Sequence, residues 1–293
     1  MTRAVVLGGG GPVGVAWEAG LAAGLEEEGL RLADADLFVG TSAGSVIGSQ
    51  LALGRSPADL VASQQAIANG DRPEQRPLQR AFDMGPLTQT FLKVYAADAP
   101  LHQTRAEVGA FALHADAMKE EEWLPTFGRE SNFSSWPERA FICTAIDTAT
   151  GELVTWRKDS GVPLGLAIAS SCAVPGIVSP ITISGRRYMD GGIGSTTNAQ
   201  LAKGYDKVLV VSVVSARSRP GFEDIGARIA KRFEDELQSL RDAGSKVELI
   251  RPDDASREAF GPNFMDGTRR EACVQAGLRQ GRLEAERLRE WWN

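Results

Sequence analysis

Short apolar runs alternate with helical patterns along the first part of the chain. Residues 4–7 form an apolar run that glycines follow at once, which predicts a buried strand. Apolar residues then recur at every fourth position within residues 12–28, as on one face of an amphipathic helix. A second apolar run at residues 37–39 leads into a predicted helix over residues 45–53. This β-α-β-α order is typical of a parallel sheet.

A mainly helical segment separates this opening from a second set of strands. Residues 57–125 carry apolar residues at roughly helical intervals, and Ser56 is placed to cap the first helix of this predicted insert. The Ser-rich residues 128–138 then predict an irregular loop. Strands are predicted after it at residues 140–145, 153–156, 181–183, 187–189, 207–215 and 246–250, and helices at residues 164–171, 225–243 and 269–292.

The composition narrows the class of protein. The chain has 293 residues with 32 Lys and Arg against 38 Asp and Glu, a formal net charge of −6, so it lacks the basic surface of a nucleic-acid binder. Its three cysteines are far apart, which predicts reduced thiols rather than disulfides or a zinc site. No apolar run is long enough for a spanning helix or a signal peptide, which favours a cytoplasmic protein.

The strongest candidate for chemistry is a G-x-S-x-G motif at residues 40–44, between a predicted strand and a predicted helix. This is the context of a nucleophile elbow, in which a serine lies on a strained turn at the start of a helix. Gly40 and Gly44 leave room for the close backbone contacts of such a turn, and the helix N-terminus favours negative charge. Ser42 is therefore the candidate nucleophile.

A glycine-rich loop after the first strand is compatible with two functions. Residues 9–14 fit G-x-G-x-x-G and open a helix, as a dinucleotide site requires. Such a site also needs an acidic residue at the end of the second strand, whereas Asp34 and Asp36 precede that strand. The backbone N–H groups of residues 9–11 would equally suit an oxyanion.

The two histidines exclude the common serine triad. In an α/β-hydrolase the order along the chain is serine, acid, histidine, but His102 and His114 both precede the candidate acid Asp190. Asp190 follows a predicted strand and is itself followed by a glycine pair, whose lack of side chains allows close approach to another loop. If the serine of the elbow is a nucleophile, Asp190 would activate it directly as a Ser-Asp dyad.

These three motifs, in this order and spacing, resemble those of the patatin-like phospholipase family. The family combines a loop G-G-G-x-[R/K]-G, the G-x-S-x-G elbow and D-G-[G/A], and residues 169–176 also resemble its A-S-x-x-x-P block. The resemblance covers roughly residues 3–215. The positions that match are Gly9, Gly10, Gly11, Gly14, Gly40, Ser42, Gly44, Asp190, Gly191 and Gly192.

The resemblance implies a three-layer α/β/α fold with a mainly parallel central sheet, and hydrolysis of acyl esters in lipids without a cofactor or metal. Ser42 would be the nucleophile, Asp190 the proton acceptor, and the backbone of Gly9 to Gly11 the oxyanion hole. One position departs from the pattern, since Val13 stands where the family has Arg or Lys. Whatever that cation contributes must come from elsewhere in the chain.

The motifs extend from residue 9 to residue 190, which predicts one α/β domain over residues 1–293. Within it we expect a motif-bearing core at about residues 3–215, the insert at about residues 57–125, and a C-terminal α/β extension at about residues 216–293.

Three alternative functions stay open on the sequence alone. The glycine loop could serve a nucleotide-binding oxidoreductase. The chain could instead be a non-catalytic lipid-binding relative, to which the missing cation gives weight. A cysteine hydrolase would use Cys143 or Cys172 with His102.

Two segments could contact a lipid substrate or a membrane surface. The apolar part of the insert near residues 85–125 could shape an acyl-chain groove or act as a lid, although core packing is the favoured role for any single residue. Trp291 and Trp292 could touch a membrane surface. The glutamates interleaved with arginines on that helix favour a solvated helix with docked tryptophans.

Overall fold

A mixed eight-stranded sheet forms the centre of the protein. The computed structural model describes residues 1–71, 92, 94, 99–128, 133–214 and 223–293. The strands are β1 (Arg3–Leu7), β2 (Leu37–Gly40), β3 (Ala140–Asp147), β4 (Leu153–Trp156), β5 (Ile181–Ile183), β6 (Arg186–Asp190), β7 (Lys207–Val211) and β8 (Lys246–Ile250). Their order is β5-β6-β3-β2-β1-β7-β8, with β4 paired to β3. Strands β3, β2, β1, β7 and β8 are parallel, and β4, β5 and β6 run antiparallel to their neighbours.

Helices cover both faces of this sheet. They are α1 (Gly11–Glu27), α2 (Ala43–Ala52), α3 (Pro57–Ala68), α4 (Leu101–His114), α5 (Glu120–Trp123), α6 (Leu164–Ser171), α7 (Glu223–Asp242), α8 (Asp254–Phe260) and α9 (Arg270–Trp292). Alternate residues of β1 enter two cores, because successive side chains of a strand point to opposite faces. Val5 and Leu7 pack into the core that holds α1, α2 and α9, whereas Ala4 and Val6 join the core that holds α7. The predicted α/β/α layering is thus confirmed.

Most predicted elements lie within a few residues of the observed ones, and two differ for local reasons. Strand β7 ends at Val211, not at residue 215, because its partner β1 ends at Leu7 and turns into the glycine loop. Helix α8 was not predicted, since its seven residues are too short for a clear apolar period. The parts of the predicted insert at residues 72–91, 93 and 95–98, and residues 129–132 of the predicted loop, lie outside the described residues.

Helices α1 and α9 pack side by side in parallel through four glycines. A Cβ atom added at Gly20, Gly24, Gly277 or Gly281 would lie 2.1 to 2.4 Å from a backbone oxygen of the other helix. Both helix backbones therefore approach more closely than any side chain would allow. Because the helices are parallel, this contact also places their N-termini beside each other.

The C-terminal end of α9 is anchored on the chain that follows α1. Trp292 is fully buried, and its Nε1 donates to the Arg31 carbonyl oxygen at 2.9 Å. Trp292 is therefore docked, as the solvated-helix interpretation predicted, while Trp291 beside it is only partly buried. Among the helices in the described residues, none has both the length and the apolar character needed to cross a membrane.

Replacement of Gly277 by alanine should destabilise the protein, although alanine ordinarily favours a helix by about 0.5–1 kcal/mol over glycine. Its Cβ would lie 2.2 Å from the Trp17 carbonyl oxygen, so α1 and α9 must separate. We expect a loss of about 2 kcal/mol or more in the free energy of unfolding, measured by urea denaturation.

The matched control is Leu283→Ala, which lies on the outer face of the same helix with 55% of its surface exposed. Its effect should stay within about 0.5 kcal/mol. Equal stability of Gly277→Ala and the wild type would contradict the close helix contact.

Candidate active site

The predicted motifs meet at the carboxyl ends of the parallel strands. β1 leads into the glycine loop and β2 into the serine turn, and their last residues, Leu7 and Gly40, are partners in the sheet. The chain continues from β1 to β2 and β3 on one side, while β7 and β8 extend the sheet on the other. Such a reversal of strand order opens a crevice where α/β proteins bind ligands.

Ser42 lies on the strained turn that its motif predicts. Its φ of 51° and ψ of −117° are unusual for a residue with a side chain, and it caps the N-terminus of α2. A Cβ atom at Gly44 would lie 2.0 Å from the Leu7 carbonyl oxygen, and one at Gly40 would lie 2.5 Å from the Cα of Ser45. Glycines are needed on both sides of Ser42 because the turn contacts other backbone there.

Asp190 ends β6, and its carboxylate lies close enough to the Ser42 hydroxyl for that hydroxyl to stabilise its charged form. Its Oδ1 also accepts the N–H of Gly192 at 2.7 Å. Ser42 and Asp190 are only 6% and 5% exposed. Burial raises the pKa of Asp190 to about 6, although the nearby Ser42 hydroxyl and the Gly192 N–H oppose the shift because they favour the carboxylate. The fold thus brings together the two residues that the sequence singled out.

The glycine loop lies against Ser42, but only part of it is free to hold an oxyanion. A Cβ atom at Gly9 would lie 3.3 Å from the Cβ of Ser42. The Gly9 N–H donates to the Thr196 carbonyl oxygen at 2.8 Å, which corrects the prediction that it belongs to an oxyanion hole. Within the described residues the N–H groups of Gly10 and Gly11 have no protein acceptor, so these two remain candidates.

Gly14 has a packing role. Its N–H donates to the Gly10 carbonyl oxygen at 2.9 Å, and a Cβ atom there would lie 3.3 Å from Val213 and 3.4 Å from Ala43. This glycine lets α1 pack closely against the start of α2.

Polar residues that the sequence did not single out join the loops of the site. Asn198 donates from Nδ2 to the Oγ1 of Thr41 at 3.0 Å and to the carbonyl oxygen of Gly191 at 3.1 Å, so it connects the serine turn with the aspartate turn. The N–H of Ser42 donates to the Oγ of Ser171 at 2.9 Å. Ser171 lies within the predicted A-S-x-x-x-P-like block, whereas no local pattern marked Asn198.

A cavity of about 160 Å³ opens at Ser42 and is mainly apolar. Its apolar lining includes Val46, Ile47, Leu60, Trp123, Phe127 and Val174. Leu60 and Trp123 come from the described part of the predicted insert, which therefore lines the cavity as well as packing into the core. The volume is similar to the roughly 150 Å³ of an engineered apolar cavity that holds benzene.

The acidic residues that a dinucleotide site would need lie at the wrong edge of the sheet. Asp36 accepts the N–H of Arg3 at 2.7 Å, at the start of β1, whereas the glycine loop follows the end of that strand. Four residue steps along a strand separate the two positions by about 13 Å. A dinucleotide bound at the glycine loop would therefore lack the acidic residue that binds its ribose.

The arrangement needed for a cysteine hydrolase is also missing. Burial raises the pKa of Cys143 to about 12 and that of Cys172 well above its ordinary value, so both thiols stay protonated near neutral pH. His102 and His114 lie exposed on α4 and do not line the Ser42 cavity. Neither thiol is activated.

Comparison with known proteins agrees with the motifs. The Patatin-like phospholipase family model matches residues 5–203. Two solved structures are similar to this chain. VipD from Legionella pneumophila has a TM-score of 0.48 and 15% identity, and the match covers 98% of this chain and 67% of that chain. The type III effector protein ExoU has a TM-score of 0.36 and 16% identity, and the match covers 96% of this chain and 53% of that chain. No curated protein sequence matches the chain.

A second buried carboxyl group lies in α1, near the glycine loop. Glu18 is 1% exposed, and within the described residues neither of its carboxyl oxygens has a hydrogen-bond partner of normal geometry. Burial raises its pKa well above the ordinary value, and the nearby backbone of Gly8 opposes the shift only in part. Glu18 is therefore protonated in the folded protein at pH values where it ionises in the unfolded chain.

The free energy of unfolding of Glu18→Gln should increase relative to that of the wild type as the pH rises. Below about pH 4.5 the carboxyl is protonated in both the folded and the unfolded state, so it adds no pH dependence to the free energy of unfolding. Above it the unfolded chain gains by ionising, so the wild type loses up to about 1.4 kcal/mol per pH unit relative to the variant. Urea denaturation of both proteins between about pH 5 and pH 8 measures this difference. Parallel stability curves would contradict a raised pKa.

Proposed function

The chain belongs to the patatin-like phospholipase family, and we propose that it is a serine acyl hydrolase that cleaves acyl esters of lipids with Ser42 and Asp190 as its dyad. The observation that supports this most directly is the buried Ser42 hydroxyl beside the buried Asp190 carboxylate, on a strained turn that opens to an apolar cavity. The cavity suits the acyl chain of a lipid, because its walls are mainly hydrocarbon.

The first chemical step forms an acyl-enzyme. The Oγ of Ser42 attacks the ester carbonyl carbon while its proton passes to Asp190, whose carboxylate lies beside that hydroxyl. The carbonyl oxygen becomes an oxyanion, which the N–H groups of Gly10 and Gly11 at the start of α1 would stabilise. Collapse of the tetrahedral intermediate breaks the ester C–O bond, and the leaving alcohol takes the proton from Asp190.

The second step reverses these roles with water. Asp190 accepts a proton from a water molecule as its oxygen attacks the acyl carbon, and the same loop holds the new oxyanion. The bond to the Oγ of Ser42 then breaks, the serine recovers its proton from Asp190, and the carboxylic acid leaves. No cofactor enters either step.

A carboxylate with an ordinary pKa is a weak base for a hydroxyl group. Burial raises the pKa of Asp190 to about 6, which makes it a stronger base while leaving it largely ionised near pH 7. Burial of the Asp190 carboxylate therefore suits its proposed role as the base.

Ser42→Ala and Asp190→Asn should each lose activity by roughly a thousandfold or more on p-nitrophenyl butyrate, because the nucleophile or its base is gone. A fluorophosphonate probe should label the wild type at Ser42, as mapped by peptide mass spectrometry, and should not label Ser42→Ala. The control is His102→Gln, an exposed position outside the cavity, which should keep wild-type activity.

The outcomes separate the competing functions. A wild type that neither hydrolyses the ester nor reacts with the probe would favour a non-catalytic lipid-binding relative. Substantial activity in purified Ser42→Ala would refute Ser42 as the nucleophile.

The value of kcat/KM should rise about tenfold per pH unit below about pH 6 and level off above about pH 7. Asp190 accepts a proton only as a carboxylate, and its pKa in the folded protein is about 6. Initial rates on the same ester between about pH 4.5 and pH 8 measure this, with folding checked by circular dichroism at each pH. A profile without a rise near pH 6 would contradict Asp190 as the base.

A further inference from the structure

A single arginine from the C-terminal helix reaches the cavity at Ser42. Arg270 is the first residue of α9, and the glycine contact between α1 and α9 sets it beside the start of α1. Its Nη1 donates to the Pro12 carbonyl oxygen at 3.4 Å and to the Oε1 of Gln64. Arg270, Gln64 and Ser42 all line the same cavity.

Within the described residues Arg270 has no carboxylate partner, unlike three other arginines of its helix. Arg279, Arg282 and Arg287 each form an ion pair with an Asp or Glu. Among the described residues the only hydrogen-bond acceptors of Arg270 are neutral oxygens. A buried or partly buried cation with no counter-ion attracts an anion, because its charge is otherwise uncompensated.

The guanidinium has N–H donors left over for an oxyanion. Both hydrogen bonds to the protein leave from Nη1, and within the described chain neither Nε nor Nη2 has an acceptor. Nε is buried without a partner, although the residue as a whole keeps some contact with solvent. An arginine can hold a carboxylate or phosphate through two parallel N–H···O hydrogen bonds. Burial lowers the pKa of Arg270 to about 10, so the side chain remains charged at neutral pH.

This position also bears on a gap in the glycine loop. Val13 occupies the place of the usual cation of the loop motif and is fully buried. Arg270 contacts the carbonyl oxygen of Pro12, the residue that precedes Val13. It belongs to a part of the chain beyond the family match at residues 5–203. We infer that Arg270 binds an anionic group of the substrate, a phosphate or a carboxylate, in the cavity of Ser42. This inference rests on the proposed hydrolase function.

The test compares charged and neutral esters in two matched pairs. One pair carries the charge on the alcohol side, as monohexanoylglycerol phosphate against monohexanoylglycerol. The other carries it on the acyl side, as mono-p-nitrophenyl adipate against p-nitrophenyl hexanoate. The readout is the ratio of kcat/KM for the charged ester to that for the neutral ester.

Arg270→Gln should lower this ratio by about tenfold or more in one pair, because a charge-assisted hydrogen bond is lost. Arg270→Lys should recover part of it. The control is Arg282→Gln, which removes the same charge from the outer part of the same helix, where Arg282 is paired with Glu27. The ester pair whose ratio falls shows whether the anionic group lies on the alcohol side or on the acyl side of the substrate. Equal ratios for Arg270→Gln and Arg282→Gln in both pairs would overturn the inference.

A binding measurement separates this inference from the proposed catalysis. Calorimetry on Ser42→Ala should show hexyl phosphate or hexanoate binding more tightly than hexanol, with that preference lost on adding Arg270→Gln. Failure of wild-type hydrolysis with this preference intact would reject the hydrolase and keep the anion site. Absence of the preference in Ser42→Ala would reject the anion site, and that result does not require an Arg270 variant to fold.

Discussion

The site depends on backbone segments that touch at the end of the first strand. A Cβ atom at Gly44 would lie 2.0 Å from the Leu7 carbonyl oxygen, and the Gly44 N–H donates to the Gly8 carbonyl oxygen at 3.0 Å. The serine turn is thereby fixed against the glycine loop, with its strained φ held by neighbours on both sides. A side chain at this contact would separate Ser42, the proposed nucleophile, from the candidate oxyanion donors.

The local parts of this arrangement could be predicted, because each loop carries its constraint in its own residues. A strand followed by G-x-S-x-G, a glycine run opening a helix, and Asp-Gly-Gly after a strand are each short and contiguous. The contacts between those loops could not be predicted. The Gly9 N–H is bonded to the Thr196 carbonyl oxygen, more than a hundred residues away in sequence. Asn198, in a turn that carries no motif, bridges Thr41 and Gly191.

The C-terminal extension shows the same limit on a larger scale. Its C-terminal helix was predicted correctly. The contact between α1 and α9 was not predicted, because the four glycines that form it are only two pairs spaced by four residues on helices far apart in sequence. Their contact makes the extension part of the site, since it fixes the N-terminus of α9 beside that of α1. It also places the guanidinium of Arg270 at the Pro12 carbonyl oxygen, next to the position where Val13 stands in place of the cation of the loop motif.

Desolvation distinguishes the potential nucleophiles in the cavity. Ser42 and Cys172 both line it, and both lie near Asp190. Burial raises the pKa of Asp190 and so strengthens it as a base for the serine hydroxyl. Burial and the charge of Asp190 also raise the pKa of the Cys172 thiol, so the thiolate does not form. One low-dielectric environment thus favours a hydroxyl that loses its proton during attack over a thiol that would have to lose it beforehand.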